Sequence, residues 1–400
     1  MAETTNWGRL ARRRVPSTGR AHTKIVATIG PASEGRIEEL LEAGLSVARI
    51  NLSHGDDDDV RRRVALLRQI SAARGIPVGI LADIRGPKLR LGLFPGGKIE
   101  LEEGALVELS EGHGMAEGVR IPVDFPGLME SCERGQRVLL ADGVVELVVE
   151  EKLADHLRAR VVRPGPIGDH KGVHLPDSRL TQLVPTEEDR RDLELCRQLD
   201  VDFVGISFVS RAEEIMAVRA CVPDALIVAK IERVAALENL EELLDATDGI
   251  MVARGDLGVE MELEQLPMVQ KALIQDALKA GKFTITATEM LESMIHSSRP
   301  TRAEVTDVAN AVLDGTDAVM LSAETAVGKH PVEAVEAMHR IARAVETSQR
   351  YHELPRGGFR ASEPTFSNAV ALAAAQAAEA LNVEHIICFT ETGNTPRQLS

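Results

Sequence analysis

Eight short runs of apolar, often β-branched residues recur along the chain, and most are separated by stretches with a helical period. They are KIVATIG (24–30), SVARINLS (46–53), VGILADI (78–84), DFVGISFV (202–209), LIVAKIE (226–232), GIMVARGD (249–256), FTITATEM (283–290) and DAVMLSAE (317–324). Strand runs that alternate with helical patterns mark β/α units on a parallel sheet. Eight of them are what a closed (β/α)₈ barrel requires. Helix ends are marked as well. Thr301 and Glu304 have capping-box spacing ahead of VTDVANAVLDG, and Gly44, Gly75 and Gly281 stand where a left-handed residue closes a helix.

The rhythm breaks once, between the third and fourth runs. From Leu91 to Val184 the chain reads as short strands punctuated by glycine and proline (KIELEEGALVELSEG, RGQRVLLADGVVELVVEE, LRARVVRPG), so a small all-β module is inserted there. The expected layout is a flexible basic tail over 1–20, a barrel over 21–88 and 186–350, an inserted β-barrel lid over 89–185, and the start of an α/β domain over 361–400. That last part opens a helix-then-strand pattern and stops within an apparent helix, with too few residues to close a core. The expectation is a longer natural chain.

The totals bound the function. Of 400 residues, 44% are hydrophobic and 27% charged, the make-up of an ordinary soluble globular protein. A balance of 46 Lys+Arg against 62 Asp+Glu gives −16, which argues against non-specific binding to nucleic acid or membrane. No apolar run approaches the roughly 18 residues of a membrane span, and the arginine-bearing N-terminus lacks the apolar region of a secretory signal. A cytoplasmic protein is expected. Cys132, Cys196, Cys221 and Cys388 form no CxxC pair and read as buried thiols.

Catalytic groups of a (β/α)₈ barrel gather at the C-terminal ends of its strands. Here those ends carry Arg49, Asn51 and Ser53, then Asp83, Ser207, Lys230 and Glu232, Asp256, Thr288 and Ser322. One serine or threonine at a strand end ordinarily faces solvent, but polar groups on seven strands converging on one rim read as a single site. Glu232 and Asp256 end adjacent strands. They suit a hard cation such as Mg²⁺, which takes one or two carboxylates and completes its shell with water and substrate phosphate. A structural ion-pair network with Lys230 is the alternative. Lys230 and Arg49 beside a metal suit a phosphoryl group in transit. Two other features carry less. GLFPGGKI (92–99) has Walker A spacing but Ile99 where a hydroxyl is needed, and reads as a hairpin turn. DDDDVRRR (56–63) reads as a solvated helix start.

The segments TKIVATIGPAS, ARINLSHG, LADIRGPKLR, KGVHLP, VDFVGISF, AKIE, DGIMVARGDLGVE, TATEMLESM and RPTRAEVTDVANAVLDGTDAVMLSAETA together resemble the pyruvate kinase family, over essentially the whole chain from Thr23 onward. The resemblance implies a barrel, an inserted β-barrel lid and a C-terminal α/β domain. It also implies transfer of the phosphoryl group of phosphoenolpyruvate to ADP, giving pyruvate and ATP. By that resemblance Glu232 and Asp256 hold Mg²⁺, with Mn²⁺ as a substitute. Lys230 and Arg49 contact the phosphoryl group, and Gly255, Asp256 and Thr288 hold the carboxylate of phosphoenolpyruvate or pyruvate. Ser207 joins the substrate site, Thr288 takes part in protonating the enolate, and Ser322 belongs to a water relay. Asn51, His54, Arg90 and Lys171 match nucleotide-contacting positions, and Lys171 and Asp142 lie in the lid. A cytoplasmic homotetramer is implied.

Two departures stand out. In many members Asn51, Ser53, Asp83 and the carbonyl at position 84 (Ile84 here) hold K⁺, accompanied by the glutamate of a GPE segment. Here that segment is GPK, and Lys88 would place its ammonium where the ion's charge acts, so K⁺ is expected not to be required. Glu289 replaces a usual glutamine, without explanation. FTETGNTPRQ resembles an activator-phosphate loop, with Thr390, Thr392, Asn394 and Thr395 as candidates, and an ordinary turn is an equal reading. A Mg²⁺-dependent enolate-forming lyase and a non-catalytic regulatory barrel are the competing functions. Replacing Lys230 by Met is expected to stop turnover with little effect on folding.

Overall fold

The computed structural model describes residues 19–87, 89–178, 184–353, 365–381, 383, 385–391 and 394–399. Eight parallel strands close into a barrel: Lys24–Thr28, Leu45–Asn51, Gly79–Asp83, Phe203–Ile206, Leu226–Ile231, Gly249–Ala253, Phe283–Ala287 and Ala318–Leu321. The first pairs with the eighth, Lys24 opposite Ala318, which completes the ring. The expected eight units are present, with strand limits within a few residues of the apolar runs.

Successive strand side chains point to opposite faces, and this period sorts the barrel. One set of residues, with Ile25, Ala48, Ile80, Val204, Ile227 and Ile250 among them, packs outward against the helices. The other fills the lumen: Val26, Leu81, Val228, Met251, Ile285 and Met320, with Val47, Phe203 and Phe283 against them. Phe203 and Phe283 meet edge to face, ring centres 5.9 Å apart, in the geometry aromatic quadrupoles favour. Gly249 lies beside them, and a Cβ there would come within 2.4 Å of the Phe283 ring. The lumen-facing register continues upward in steps of two, from Leu81 to Asp83, Val47 to Arg49, Phe203 to Ser207 through Gly205, and Val228 to Lys230. The plug is therefore apolar below and charged at the rim.

Helix boundaries follow local chemistry. Thr301 accepts the Glu304 N–H at 3.2 Å while Glu304 Oε2 accepts the Thr301 N–H at 2.6 Å, completing the capping box of helix Arg302–Asp314. Gly44 and Gly75 close their helices with φ of 120° and 63°, and Gly281 has φ 68°. The acidic run opens helix Asp57–Arg74, with Asp56 capping the Asp59 N–H.

Between the third and fourth barrel strands lie a seven-stranded mixed sheet and a two-stranded one, around a separate core that includes Leu91, Val107, Phe125, Leu147 and Val161. GLFPGGKI is a turn here, though it joins no hairpin. Arg90–Leu91 pairs in the larger sheet and Lys98–Leu101 in the smaller. Cys132 and Cys196 are buried, whereas Cys221 and Cys388 are half-buried, which corrects the expectation of four buried thiols.

Near the end, helix Phe366–Ala380 forms as expected, but the described residues of VEHIICFT form no strand. Ile387 is 84% exposed and Phe389 97%. A strand needs a neighbour for its ladder, and none is paired with it among the described residues.

Candidate active site

Asp83 is 2% exposed and sits between two cations. Its Oδ2 accepts from Arg49 Nε at 2.8 Å and Nη2 at 2.5 Å, and its Oδ1 lies 3.2 Å from Lys230 Nζ. Burial works to raise the Asp83 pKa, but the charges of Lys230 and Arg49 outweigh it and hold the carboxyl below its ordinary value. Arg49 is braced from the first strand, where Thr28 Oγ1 accepts from Nη1 at 3.0 Å.

Lys230 Nζ also reaches Glu232 Oε1 at 2.7 Å and donates to Ser207 Oγ at 2.8 Å. Burial by itself favours the neutral amine, yet the two carboxylates push the Lys230 pKa above that of a free lysine. Its charge is secure. Glu232 is 1% exposed, and burial together with the Asp256 charge pushes it up to about 7 against the pull of Lys230. A carboxyl so raised, beside a second carboxylate and with an ammonium already bonded to it, still lacks positive charge. The pair fits a divalent cation, and the described residues hold no cluster of three His, Cys, Asp or Glu that could bind a metal. Mg²⁺ does not need three.

Phe208 fixes the other oxygen of Glu232, its N–H donating to Oε2 at 2.7 Å. Its φ of 58° is the left-handed region that bulky residues avoid. Thr288 and Glu289 share that conformation, at 71° and 54°. Arg254 steadies that bend, donating to the carbonyls of Ala287 and Thr288 at 3.1 and 2.7 Å and pairing with Asp307 at 2.7 Å. Gly255 presses against it, since a Cβ there would lie 2.8 Å from Thr288 Cγ2.

A cavity of about 180 Å³ lies over these groups. Its floor is barrel rim, with Arg49, Asp83, Ser207, Lys230, Glu232 and Asp256. Its roof comes from the inserted module, with Asp142, Gly172, Val173, His174 and Leu175. The roof touches the barrel again at Gly143, where a Cβ would lie 3.2 Å from Val259.

A family model described as pyruvate kinase, barrel domain, matches residues 20–335. The chain belongs to the pyruvate kinase family. A pyruvate kinase of Geobacillus stearothermophilus is 41% identical over 94% of this chain and 66% of its own length. One from Methylorubrum extorquens is 44% identical, over 94% and 80%. The solved structure of a pyruvate kinase from Cryptosporidium parvum superposes with a TM-score of 0.90 at 36% identity, covering 95% of this chain and 80% of that one.

Against this family background the predicted residues fall into groups. Arg49, Asn51, Ser53, Asp83, Ile84 and Arg90 line the cavity, as do Ser207, Lys230, Glu232 and Asp256. Arg90 donates to the His170 carbonyl at 3.1 Å. Gly255, Thr288 and Ser322 stand on neighbouring rim positions outside the cavity wall, and Ser322 donates its N–H to Glu324 Oε2 at 2.7 Å. His54 and Lys171 are exposed and lie outside the wall as well. Among the residues expected around K⁺, Asn51 Oδ1 accepts the Ser53 N–H at 3.0 Å, and the Ile84 carbonyl accepts from Ser207 at 2.9 Å. Lys88 and Thr392 lie outside the described residues. Thr390 precedes and Asn394 opens the short helix Asn394–Leu399, which contains Thr395. Sequence reasoning did not find Thr28, Phe208, Arg233, Arg254 or Glu260. Of these only Arg254 directly follows a strand, and nothing local in the sequence marks the others.

Proposed function

We propose that this chain transfers the phosphoryl group of phosphoenolpyruvate to ADP, yielding pyruvate and ATP, and protonates the enolate left behind. The observation that carries this reading is a buried, securely charged Lys230 within 2.7 Å of Glu232 and 3.2 Å of Asp83, under a roofed cavity. Transfer breaks the bond from phosphorus to the enol oxygen and makes one to an ADP phosphate oxygen, and charge spreads over the migrating group's oxygens. Lys230 and Arg49 meet that charge with fixed cations in a site shielded from water, where such interactions are strongest. Glu232 and Asp256 would hold Mg²⁺ or Mn²⁺, whose charge would add to the neutralisation of the phosphoryl oxygens.

The enolate gains a proton at carbon, a role this reading gives to Thr288, with Ser322 in a water relay. The backbone of Gly255, with Asp256 and Thr288, takes the substrate carboxylate. Asn51, His54, Arg90 and Lys171 take the nucleotide, with the two exposed residues reaching it when it binds. The lid excludes water from the transfer. A roof over the carboxylates favours this reading over a lyase.

Independence from K⁺ belongs to the same proposal. Both Asp83 oxygens already face fixed cations, so a further monovalent ion gains little there, and the sequence has a lysine, Lys88, in place of the family's usual glutamate. The homotetramer and the cytoplasmic location also belong to it. No helix among the described residues is long and apolar enough to cross a membrane. The deciding experiment is pyruvate formation from phosphoenolpyruvate, with ADP omitted or supplied, with and without Mg²⁺, and in K⁺ against tetraalkylammonium buffer. Turnover that needs ADP and Mg²⁺ but is equal in both buffers is expected. Its absence removes the function, and a large rise with K⁺ removes the cation argument alone.

A further inference from the structure

The lid is joined to the barrel by more than its two covalent linkers. Arg233 follows Glu232 at the end of the fifth barrel strand, and Glu260 ends helix Arg254–Glu260; each is 3% exposed. Arg233 Nε donates to Glu260 Oε1 at 3.2 Å, and Glu260 Oε2 accepts the Val234 N–H at 2.9 Å. The remaining reach of the guanidinium goes to the lid. Nη2 donates to the carbonyls of both Leu175 and Ser178, at 3.1 Å each. These carbonyls lie just after strand Val173–His174, where the chain leaves the lid. Val173 in turn donates its N–H to Leu89 on the entering segment at 3.1 Å.

Burying an ion pair costs several kcal/mol per ion before the pairing is recovered, and apolar residues of the same size often serve stability as well. A buried pair that holds two carbonyls of another module is therefore better explained by what it positions than by stability. Its location is specific too. Arg233 and Glu260 both line the cavity, and Arg233 is the next residue after the carboxylate proposed to hold the metal.

We propose that Arg233 is a positioning residue, a latch that holds the exit strand of the lid in register with the strand carrying Lys230 and Glu232. The inference rests on the proposed function, in which phosphoenolpyruvate sits on the floor and the nucleotide between floor and roof. Loosening the latch lowers the fraction of molecules with the roof in place, and apparent nucleotide affinity falls by that fraction. Phosphoenolpyruvate, held by the rim, is affected less. Lysine cannot substitute, because a single ammonium cannot span a carboxylate and two carbonyls as the planar guanidinium does.

The test uses the whole chain as parent, Arg233→Lys and Glu260→Gln. Amide hydrogen exchange is followed without substrates, and KM is measured separately for ADP and phosphoenolpyruvate. In Arg233→Lys, exchange over 171–178 and 89–91 should rise about tenfold, with strands Leu226–Ile231 and Gly249–Ala253 unchanged. The KM for ADP should rise about tenfold and that for phosphoenolpyruvate less than about twofold. Glu260→Gln should shift both readouts the same way and serves alone if the lysine variant does not fold. Exchange equal to the parent's over 171–178, a uniform rise across the barrel, or equal increases in both KM values would overturn the latch. A parent without phosphoenolpyruvate-dependent ATP formation would remove the proposed function, and the exchange comparison would still decide the latch.

Discussion

Lys230 and Glu232 stand two positions apart at the end of one strand, and their charged groups meet at 2.7 Å. A two-residue step returns to the same side of a strand, so the run that places Val228 in the apolar lumen places both charges at its mouth. The pair is one unit with Asp83, and several consequences can be measured.

Replacing Lys230 with Met should lower kcat by about a hundredfold to a thousandfold, the scale of losing one electrostatic contact to a transition state. The burial of Asp83 and Glu232 argues for a cost in folding as well, against the expectation of little effect. Removing the ammonium leaves carboxylates short of a partner, at a cost of about 3 kcal/mol. Urea unfolding with and without Mg²⁺ reads this directly, and the loss should shrink when Mg²⁺ is present. Retained turnover would take Lys230 out of the mechanism.

Gly255→Ala tests the rim beside Thr288. The new methyl meets Thr288 Cγ2, the end of a side chain, so the fold should survive while Thr288 shifts. Small misplacements of a reacting group cost about tenfold to a hundredfold in rate. An intact far-ultraviolet spectrum with kcat reduced by at least tenfold is expected, and unaltered kcat would show that Thr288 has no part in the turnover-limiting step.

Thr301→Ala removes the cap of helix Arg302–Asp314 and should destabilise the chain by about 1 kcal/mol, read as a lower midpoint in urea at unchanged slope. Thr301→Ser should restore most of the difference. No change in the alanine variant would mean that the reciprocal bond from Glu304 suffices alone.

The N-terminal entry to the barrel should depend on pH. Ala21 donates its N–H to His339 Nε2 at 3.2 Å, so that ring must be neutral there. Burial, then the Arg343 charge, lower the His339 pKa below its ordinary value. The unfolded chain therefore binds the proton more readily, and stability rises with pH. The contribution is complete above about 6.5, the unperturbed histidine value, and is lost as pH falls below it. The melting temperature should drop more between pH 7.5 and 5.5 in the parent than in His339→Gln. Equal drops would clear His339 of this role.

Much of the floor was legible because strand period and rim position are local properties. Alternation along VARIN and IVAKIE is enough to bring Arg49, Lys230 and Glu232 to one mouth. The capping box and the glycine stops depend only on residues a few places apart. What could not be read were contacts across long stretches of chain. Arg233 and Leu175 are far apart in sequence, and nothing in either residue advertises a guanidinium bonded to a carbonyl. Asp83 was expected near a monovalent ion, and only the folded ring shows that two side-chain cations already occupy its oxygens. The left-handed backbone at Phe208 and Thr288 also goes against residue preference.

Closure of the ring through Lys24 and Ala318 also carries a consequence for synthesis. The first strand waits unpaired on one edge until the last has emerged from the ribosome, and at about 5–20 residues per second that delay lasts tens of seconds. Through that interval a β edge is open to other chains, so chaperone demand during translation should be greatest before residue 321 appears.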